Sequence, residues 1–216
     1  MTEHYFTPRP TSGKPAGEKT TGEPTSERKT EKLLTLHSGD RALQFASGAG
    51  VFSKSHLDDG SALLIETFLQ ATTGQRAHLL DLGCGWGAVG CSVAARKPDF
   101  QIAMCDINIR AAILAQSNAR RNAMTNVAAW CGDGASATRE NCFDFVLCNP
   151  PVRAGNAVIA RLFGDAQRAL KSGGELWIVL RTAQGAKSWQ RRLQSDWGNC
   201  RTRAMHSGFR ILSSTK

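Results

Sequence analysis

The strongest chemical signal in the sequence is Asn149-Pro150-Pro151, which directly follows the apolar run Phe143–Cys148. Proline cannot donate a hydrogen bond to a sheet ladder, so the two prolines end the strand and stiffen the turn at its carboxyl end. In open α/β sheets, ligands bind at this edge. The Asn149 side chain and the Pro150 carbonyl can both accept hydrogen bonds from an exocyclic –NH2 group. The motif therefore indicates chemistry on an amine, rather than on a hydroxyl or a carbonyl.

A glycine-rich segment, Asp81–Gly87, is the second signal, and it lies between a strand pattern and a helix pattern. Glycines allow the backbone to approach a ligand closely and to adopt conformations closed to other residues. Gly85, Gly87 and Gly90 have the spacing of the dinucleotide-binding fingerprint, and the acidic Asp106 ends the next predicted strand. This combination would hold either a nicotinamide cofactor or S-adenosylmethionine, in both cases with the acid on the ribose hydroxyls.

Three details favour S-adenosylmethionine. Asp81 lies inside its strand, where the carboxylate can receive the cationic or amino end of that cofactor. Asp133 stands between two glycines after the following strand and can accept from an adenine amino group. The Asn149-Pro150-Pro151 turn has no role in hydride transfer. Together these motifs resemble the class I S-adenosylmethionine-dependent methyltransferases, in the branch that methylates exocyclic or amide nitrogens.

These side chains can meet only if a scaffold brings several strand ends to one edge. From residue 33 onward, apolar periodicity and turn residues predict alternating strands and helices. The predicted strands are Leu33–Leu36, Arg41–Ala46, His78–Leu82, Gln101–Cys105, Val127–Trp130, Phe143–Cys148, Gly174–Leu180, Cys200–Ala204 and Phe209–Ser213. The predicted helices are Gly60–Thr73, Ala88–Arg96, Ile109–Asn122, Ala157–Leu170 and Lys187–Asp196. Alternation of this kind implies an α/β fold with a mostly parallel sheet and helices on both faces.

Further motifs narrow the resemblance to the RsmC-like methyltransferases, which modify guanine N2 in small-subunit ribosomal RNA. Gly50–Lys54 and Leu57–Ser61 resemble their N-terminal signature. Asn149–Gly155 and Gly173–Val179 resemble the short, single-domain members. The resemblance runs from about Phe45 to the C-terminus, and it implies a Rossmann-like, seven-stranded class I methyltransferase fold.

The resemblance also implies roles for individual residues. The cofactor, S-adenosylmethionine, would be held by Phe52, Asp58, Gly60, Asp81, Gly83, Gly85, Gly87, Asp106, Asp133 and Asn149. Asn149, Pro150 and Pro151 would form the catalytic turn. Because the sulfonium is already an activated methyl donor, the protein mainly has to align an in-line displacement, and no strong general base or metal is required.

The residue after the catalytic turn bears on the acceptor. Many amino-methyltransferases have an aromatic residue there, which stacks on the flipped base, whereas this sequence has Val152. Adenine-N6 and glutamine-N5 enzymes usually keep the aromatic residue, so Val152 favours guanine N2. Phe52 and Phe163 are candidates for the stacking role. Arg153 can contact a phosphate or the base edge, or it can form a surface ion pair.

The positive charge of the chain is concentrated near its C-terminus. Residues 161–216 carry eleven Lys and Arg against three acidic residues, whereas residues 33–160 carry ten of each. A basic face favours a polyanionic partner such as RNA. We therefore expect Arg191 and Arg192 to contact RNA, with a solvated face as the alternative. The expected partner is ribosomal RNA or the small ribosomal subunit.

Length and composition predict one domain preceded by an arm. We divide the chain into a flexible arm (1–32) and a methyltransferase domain (33–216), itself a cover (33–75) and a catalytic core (76–216). No run is apolar enough to span a membrane, and the seven cysteines lack metal-site spacing. We therefore expect a cytoplasmic monomer with reduced thiols, no membrane partner and no metal.

Three alternatives stay open from the sequence. An enzyme of the same fold could methylate another nitrogen, such as adenine N6 or protein glutamine N5. A non-catalytic S-adenosylmethionine-binding factor could assist ribosome assembly, although a decayed enzyme usually loses one of the two motifs that are intact here. A dehydrogenase would use the same glycine loop for a nicotinamide cofactor.

Overall fold

The computed structural model describes residues 33–46, 57–74 and 76–216. The predicted arm (1–32) lies outside these residues, and so does the signature segment Gly50–Lys54 with Phe52. The strands are β1 (Leu33–Ser38), β2 (Arg41–Ala46), β3 (His78–Leu82), β4 (Gln101–Asp106), β5 (Val127–Cys131), β6 (Phe143–Cys148), β7 (Leu170–Arg181), β8 (Arg201–His206) and β9 (Phe209–Thr215). The helices are α1 (Asp59–Ala71), α2 (Ala88–Arg96), α3 (Ile109–Arg121), α4 (Asn156–Ala169) and α5 (Ala186–Trp197), with short 3-10 turns at Val152–Ala154 and Thr182–Gln184.

Within the described residues, seven strands form one sheet in the order β5-β4-β3-β6-β7-β9-β8. β3 pairs in parallel with β4 on one side and with β6 on the other. The strand order therefore reverses at β3, and this switch point is where open α/β sheets bind ligands. Only β9 and β8 complete the sheet in antiparallel fashion. The predicted fold class, a mostly parallel seven-stranded α/β sheet, is confirmed.

The sheet is covered on both faces because successive residues of its buried strands point in opposite directions. Leu79 belongs to a core shared with α1, α2 and α3, whereas the next residue, Leu80, belongs to a core shared with α4 and α5. On the first face, Phe68 of α1 meets Trp177 of β7 edge to face, with the ring centroids 5.5 Å apart. The two cores hold the central strands rigidly from both sides.

The hairpin β1–β2 is attached to α3 by two asparagine side chains. Asn122 accepts the Gln44 amide at 2.8 Å and donates to the Gln44 carbonyl at 2.8 Å. Asn118, which is fully buried, makes the equivalent pair with Ala46 and also donates to the Trp86 carbonyl at 2.9 Å. These side chains satisfy backbone groups of β2 that would otherwise lack partners. The hairpin is thereby joined to the same core as the glycine loop.

Several predicted boundaries differ from the structure by one or two residues, and the largest error is at the start of β7. The sequence predicted that α4 continues through Leu170 and that the strand begins at Gly174, but β7 begins at Leu170. Leu170 pairs with Phe143, and the amide of Gly173 donates to the carbonyl of Lys216 at 3.0 Å. Pairing with the chain terminus therefore extends the strand through a glycine pair that local sequence reads as a turn.

Candidate active site

The glycine loop is held against the end of β4. The amides of Gly83 and Cys84 both donate to the Cys105 carbonyl, at 2.8 and 2.9 Å. Gly83 and Gly85 have φ angles of +76° and +55°, in the region that side-chain-bearing residues rarely adopt. Cβ atoms built on these two glycines would meet no described atom within 4 Å. The loop thus presents bare backbone to open space, as a closely approaching ligand requires.

Asp81 lies beneath this loop, with 2% of its surface exposed. Its Oδ2 atom accepts the amide N–H of Gly90 at 2.8 Å, a donor in the first turn of α2 that has no partner within the helix. Burial raises the pKa of Asp81 to about 7, and the nearby Asp106 charge acts in the same direction against the Gly90 hydrogen bond. The residue predicted to contact the cofactor therefore also fixes the position of α2 behind the loop.

The raised pKa of Asp81 predicts a pH-dependent stability. The native state keeps the Asp81 proton up to about pH 7, whereas the unfolded chain releases it near 3.8. Because the unfolded state then binds fewer protons, the free energy of unfolding falls as pH rises through this window. Between pH 5 and pH 8, the melting temperature of the ligand-free protein should fall by about 5 °C relative to Asp81→Asn, measured by circular dichroism. Parallel curves for the two proteins would contradict this.

Asp106 ends β4 beside the loop and is half-buried. Its Oδ2 atom accepts the amide of Gly85 at 2.9 Å, and its Oδ1 atom accepts the amide of Asn108 at 2.8 Å. The carboxylate is therefore fixed in direction by backbone donors on both sides. Since each carboxylate oxygen can accept more than one hydrogen bond, Asp106 keeps capacity for the hydroxyls of a ribose.

Asp133 follows β5 but already has a partner. Arg161 of α4 binds it in a two-pronged ion pair, with N···O distances of 2.9 and 2.5 Å. Both side chains are about half exposed. To accept from an adenine amino group, as predicted, Asp133 must share its oxygens with Arg161 or exchange that partner. No sequence pattern indicates this ion pair, because it joins a loop to a helix 28 residues away.

Asn149 follows β6 and lies directly across the switch point from the loop, because Leu82 pairs with Cys148. Its amide nitrogen donates to Ser61 Oγ at 2.9 Å and makes longer contacts to the two Asp58 oxygens at 3.4 and 3.5 Å. Among the described residues, no donor contacts the Asn149 Oδ1 atom, which is the hydrogen-bond-accepting end of the side chain.

The prolines form the predicted stiff turn. The Pro150 carbonyl accepts the amide of Val152 at 2.9 Å, and the Pro151 carbonyl accepts that of Ala154 at 2.8 Å. One acceptor site of the Pro150 oxygen is therefore used within the turn, and the second remains for a substrate. Val152 packs against the core beneath the turn. Its apolar side chain therefore lines the region beside the Asn149-Pro150-Pro151 turn.

Phe163 is wrong as a candidate for stacking on a base. It is 2% exposed and meets Trp189 edge to face in the core between the sheet and α5, with the centroids 5.2 Å apart. The other candidate, Phe52, lies outside the described residues. Trp86 packs against Phe45 with the centroids 4.9 Å apart.

The two described cover residues predicted to hold the cofactor, Asp58 and Gly60, lie on the Asn149 side of the site. Asp58 caps α1 by accepting the amide of Ser61 at 3.0 Å, in addition to its contacts with Asn149. Gly60 packs directly against the ring of Phe209. That ring also lies 4.3 Å from the guanidinium of Arg181, an exposed residue at the carboxyl end of β7. Motif reading had not selected Ser61, Arg181 or Phe209 for the site.

The predicted RNA-contacting arginines differ in their surroundings. Arg153 is exposed on the turn after Pro151. Arg191 is exposed and lines a groove of about 640 Å3 together with Lys187 and Arg210. Arg192 is engaged within α5, since it pairs with Asp196 at 3.2 Å and lies 5.1 Å from the Trp189 ring. The groove with Lys187 and Arg191, rather than Arg192, is therefore the basic surface that α5 leaves available for a partner.

The described part of the chain contains neither a metal-binding cluster nor a membrane-spanning helix. No group of three or more His, Cys, Asp or Glu side chains there is arranged to hold a metal ion. Among the same residues, no helix combines the length and apolarity needed to cross a membrane.

The sheet order, the glycine loop at the switch point and the Asn-Pro-Pro turn define a class I methyltransferase type of α/β domain. The chain belongs to the family described as "Methyltransferase small domain", whose match covers residues 42–213. The resemblance inferred from the motifs is thereby confirmed at the level of the family.

Several relatives are similar along the chain. The Bacillus subtilis protein YbxB, of uncharacterised function, is 34% identical over the full length of both chains. The ribosomal RNA large subunit methyltransferase G of Klebsiella pneumoniae is 33% identical over 78% of this chain and 45% of its own. The ribosomal RNA small subunit methyltransferase C of Pseudomonas entomophila is 32% identical over 82% of this chain and 52% of its own. The chain thus spans only about half the length of these two named methyltransferases.

The fold is also that of a solved neighbour. The T. thermophilus 16S rRNA N2 methyltransferase RsmC, solved in complex with AdoMet and guanosine, superposes with a TM-score of 0.75 at 23% identity. The match covers 86% of this chain and 50% of the T. thermophilus chain. At this level of identity, the comparison establishes the shared architecture.

Proposed function

We propose that this protein is an S-adenosylmethionine-dependent methyltransferase that acts on the exocyclic N2 amine of a guanine in 16S ribosomal RNA. The observation that most directly supports this proposal is the position of Asn149 beside the glycine loop, at the ends of two paired strands. The loop exposes its backbone, and the Asn149 Oδ1 atom is available to accept a hydrogen bond. The names of the methyltransferase relatives support ribosomal RNA as the substrate class. The Val152 position supports guanine over adenine N6 or glutamine N5.

The described residues fit this cofactor. Gly83 and Gly85 leave space for a ligand to approach the loop backbone. The carboxylate of Asp106, oriented by two amides, would accept from the ribose hydroxyls. Asp133, at the end of the adjacent strand pair, would accept from an adenine amino group. Asp81 lies below the loop and adds negative potential there once it loses its proton, at about pH 7. The bound cofactor supplies a methyl group on a sulfonium, which needs no further activation.

Asn149 and Pro150 orient the acceptor. Both present carbonyl-type oxygens, so each accepts one N–H of the target amine and together they fix its nitrogen. With both protons engaged, the nitrogen lone pair would remain available on the side of the glycine loop, where a bound cofactor would supply its methyl group. The nitrogen becomes acidic as it gains the methyl group, so its proton leaves to solvent without a dedicated base.

A base inside an RNA helix cannot present its amino group at this edge, so the target must be flipped out or unpaired. The groove beside α5 supplies an electrostatic path to the site. Lys187 lies in the first turn of α5, which starts just beyond the carboxyl end of β7, and Arg191 lies one turn further. Arg153 and Arg181 add positive charge at the same edge of the sheet.

Nucleoside mass mapping of ribosomal RNA from a deletion strain tests the substrate. Loss of a single N2-methylguanosine from 16S RNA is the expected result. Loss of a methylated nucleoside from 23S RNA instead would mean that the substrate is large-subunit RNA, as the names of the methyltransferase G relatives state for those proteins. A full set of methylated ribosomal nucleosides in the deletion strain would refute the proposal.

Replacement of Asn149 tests the mechanism. Asn149→Ala should lower the methyl-transfer rate by about 100-fold or more, because one of two oriented acceptors is lost. The Kd for S-adenosylmethionine, measured by titration calorimetry, should change by less than about twofold, since the loop is untouched. Asn156→Ala, on an exposed asparagine at the start of α4, is the matched control and should behave like the parent protein. Undiminished activity in Asn149→Ala would exclude this mechanism.

The basic groove predicts a salt-dependent contact with RNA. Removing Lys187 and Arg191 together should weaken binding to a ribosomal RNA fragment and reduce the slope of log K against log salt by about 1.5, since two phosphate contacts are lost. Filter binding over a salt series measures this. Arg76→Ala serves as the control, because Arg76 is exposed at the opposite edge of the sheet, among both basic and acidic side chains. An equal loss in the control would assign the effect to overall charge.

A further inference from the structure

The N-terminus of α1, Asp58–Ser61, contacts the catalytic asparagine. We infer that Ser61 and Asp58 are positioning residues: they hold the Asn149 carboxamide so that its oxygen, and not its –NH2 group, faces the acceptor amine. This inference rests on the proposed function and assigns to Asp58 a role other than cofactor contact. Its basis is the set of contacts from the Asn149 amide nitrogen to Ser61 Oγ and to both Asp58 oxygens.

Such a device addresses a particular weakness of asparagine. The terminal torsion of the side chain is broad and roughly two-fold, so the oxygen and the –NH2 group can exchange places at little cost. With the –NH2 group toward the substrate, two donors would oppose each other and the target amine would lose an acceptor. A catalytic asparagine of this kind therefore needs a partner that distinguishes its two ends.

Asp58 makes that distinction by its charge. An ionised carboxylate only accepts hydrogen bonds, so the Asn149 oxygen cannot face it without repulsion. At 3.4 and 3.5 Å the contacts are longer than strong hydrogen bonds and act chiefly as electrostatic attraction for the –NH2 group. Ser61, which is 5% exposed, supplies the short contact of 2.9 Å and fixes the plane of the carboxamide.

The position of this pair is set by packing. Asp58 accepts the Ser61 amide and thereby holds both side chains in one cap at the start of α1. Between them, a Cβ atom on Gly60 would lie 2.7 Å from Cε1 of Phe209 and 3.1 Å from Asp58 Oδ1. Only glycine lets the helix start come this close to β9. Asp58, Gly60 and Ser61 thus form one packed cap whose geometry serves Asn149, and the exposed Asp59 is not part of it.

Substitution at Ser61 gives the first test. Ser61→Ala should lower kcat about tenfold, the loss of roughly one hydrogen bond in the oriented state, while the Kd for S-adenosylmethionine stays within about twofold. Ser61→Thr keeps the hydroxyl and should restore most of the rate. Asp59→Asn, on the exposed neighbour in the same turn, is the control for a change in charge or helix stability. If Ser61→Ala kept a normal kcat but bound the cofactor more weakly, Asp58 and Ser61 would belong to the cofactor site. That result would overturn the inference.

A second readout needs no turnover. In 15N-labelled protein, the Asn149 side-chain amide protons, assigned by their disappearance in Asn149→Ala, should exchange slowly with solvent. In Ser61→Ala they should exchange at rates near those of the exposed Asn156. Identical exchange with and without the Ser61 hydroxyl would overturn the inference. Slow, Ser61-dependent exchange in a protein that methylates no RNA would keep the positioning role and reject the proposed function.

Discussion

The parallel pairing of β3 with β4 on one side and with β6 on the other is the constraint on which this site depends. Leu82 pairs with both Cys105 and Cys148, so the three strands end at one level. Asp106, the glycine loop and Asn149 then stand side by side, although 21 residues separate Gly85 from Asp106 in the sequence. A slip of one residue in either pairing would turn the neighbouring side chains to the opposite face of the sheet.

Most of this scaffold could be predicted from the sequence, because the prolines and glycines that end its strands and helices act locally. Pro150 ends β6, and the glycine loop separates β3 from α2, so β3, α2 and β6 were predicted with the bounds that the structure has. The prediction failed where pairing is long-range. Gly173 and Gly174 predict a turn, yet Gly173 donates to the Lys216 carbonyl and Gly174 accepts from the Lys216 amide. Both glycines therefore remain within β7, paired with a residue far away in the sequence.

The same distinction between local and long-range features applies to the site. Motif positions at strand ends could be found from the sequence, because parallel strands expose those residues at a common edge. The partners of these residues could not, since Ser61 and Asn149 are 88 residues apart and the contact depends on how α1 packs on β9. Arg192 is the opposite case: Asp196 follows four residues later on the same helix, so their ion pair was within reach of sequence reasoning.

The edge strand β8 is protected against pairing with another chain. β8 is the last strand of the sheet, and such an edge offers unpaired backbone groups to any other extended chain. Here the strand carries the exposed Arg201, whereas Arg203 turns onto the sheet and pairs with Glu175. The register of β8 with β9 also shifts between Thr202 and Ala204. Charge and an irregular edge both discourage strand addition. The positive charge of Arg201 and the irregular register therefore protect this edge against association with a second chain, independently of any contact with RNA.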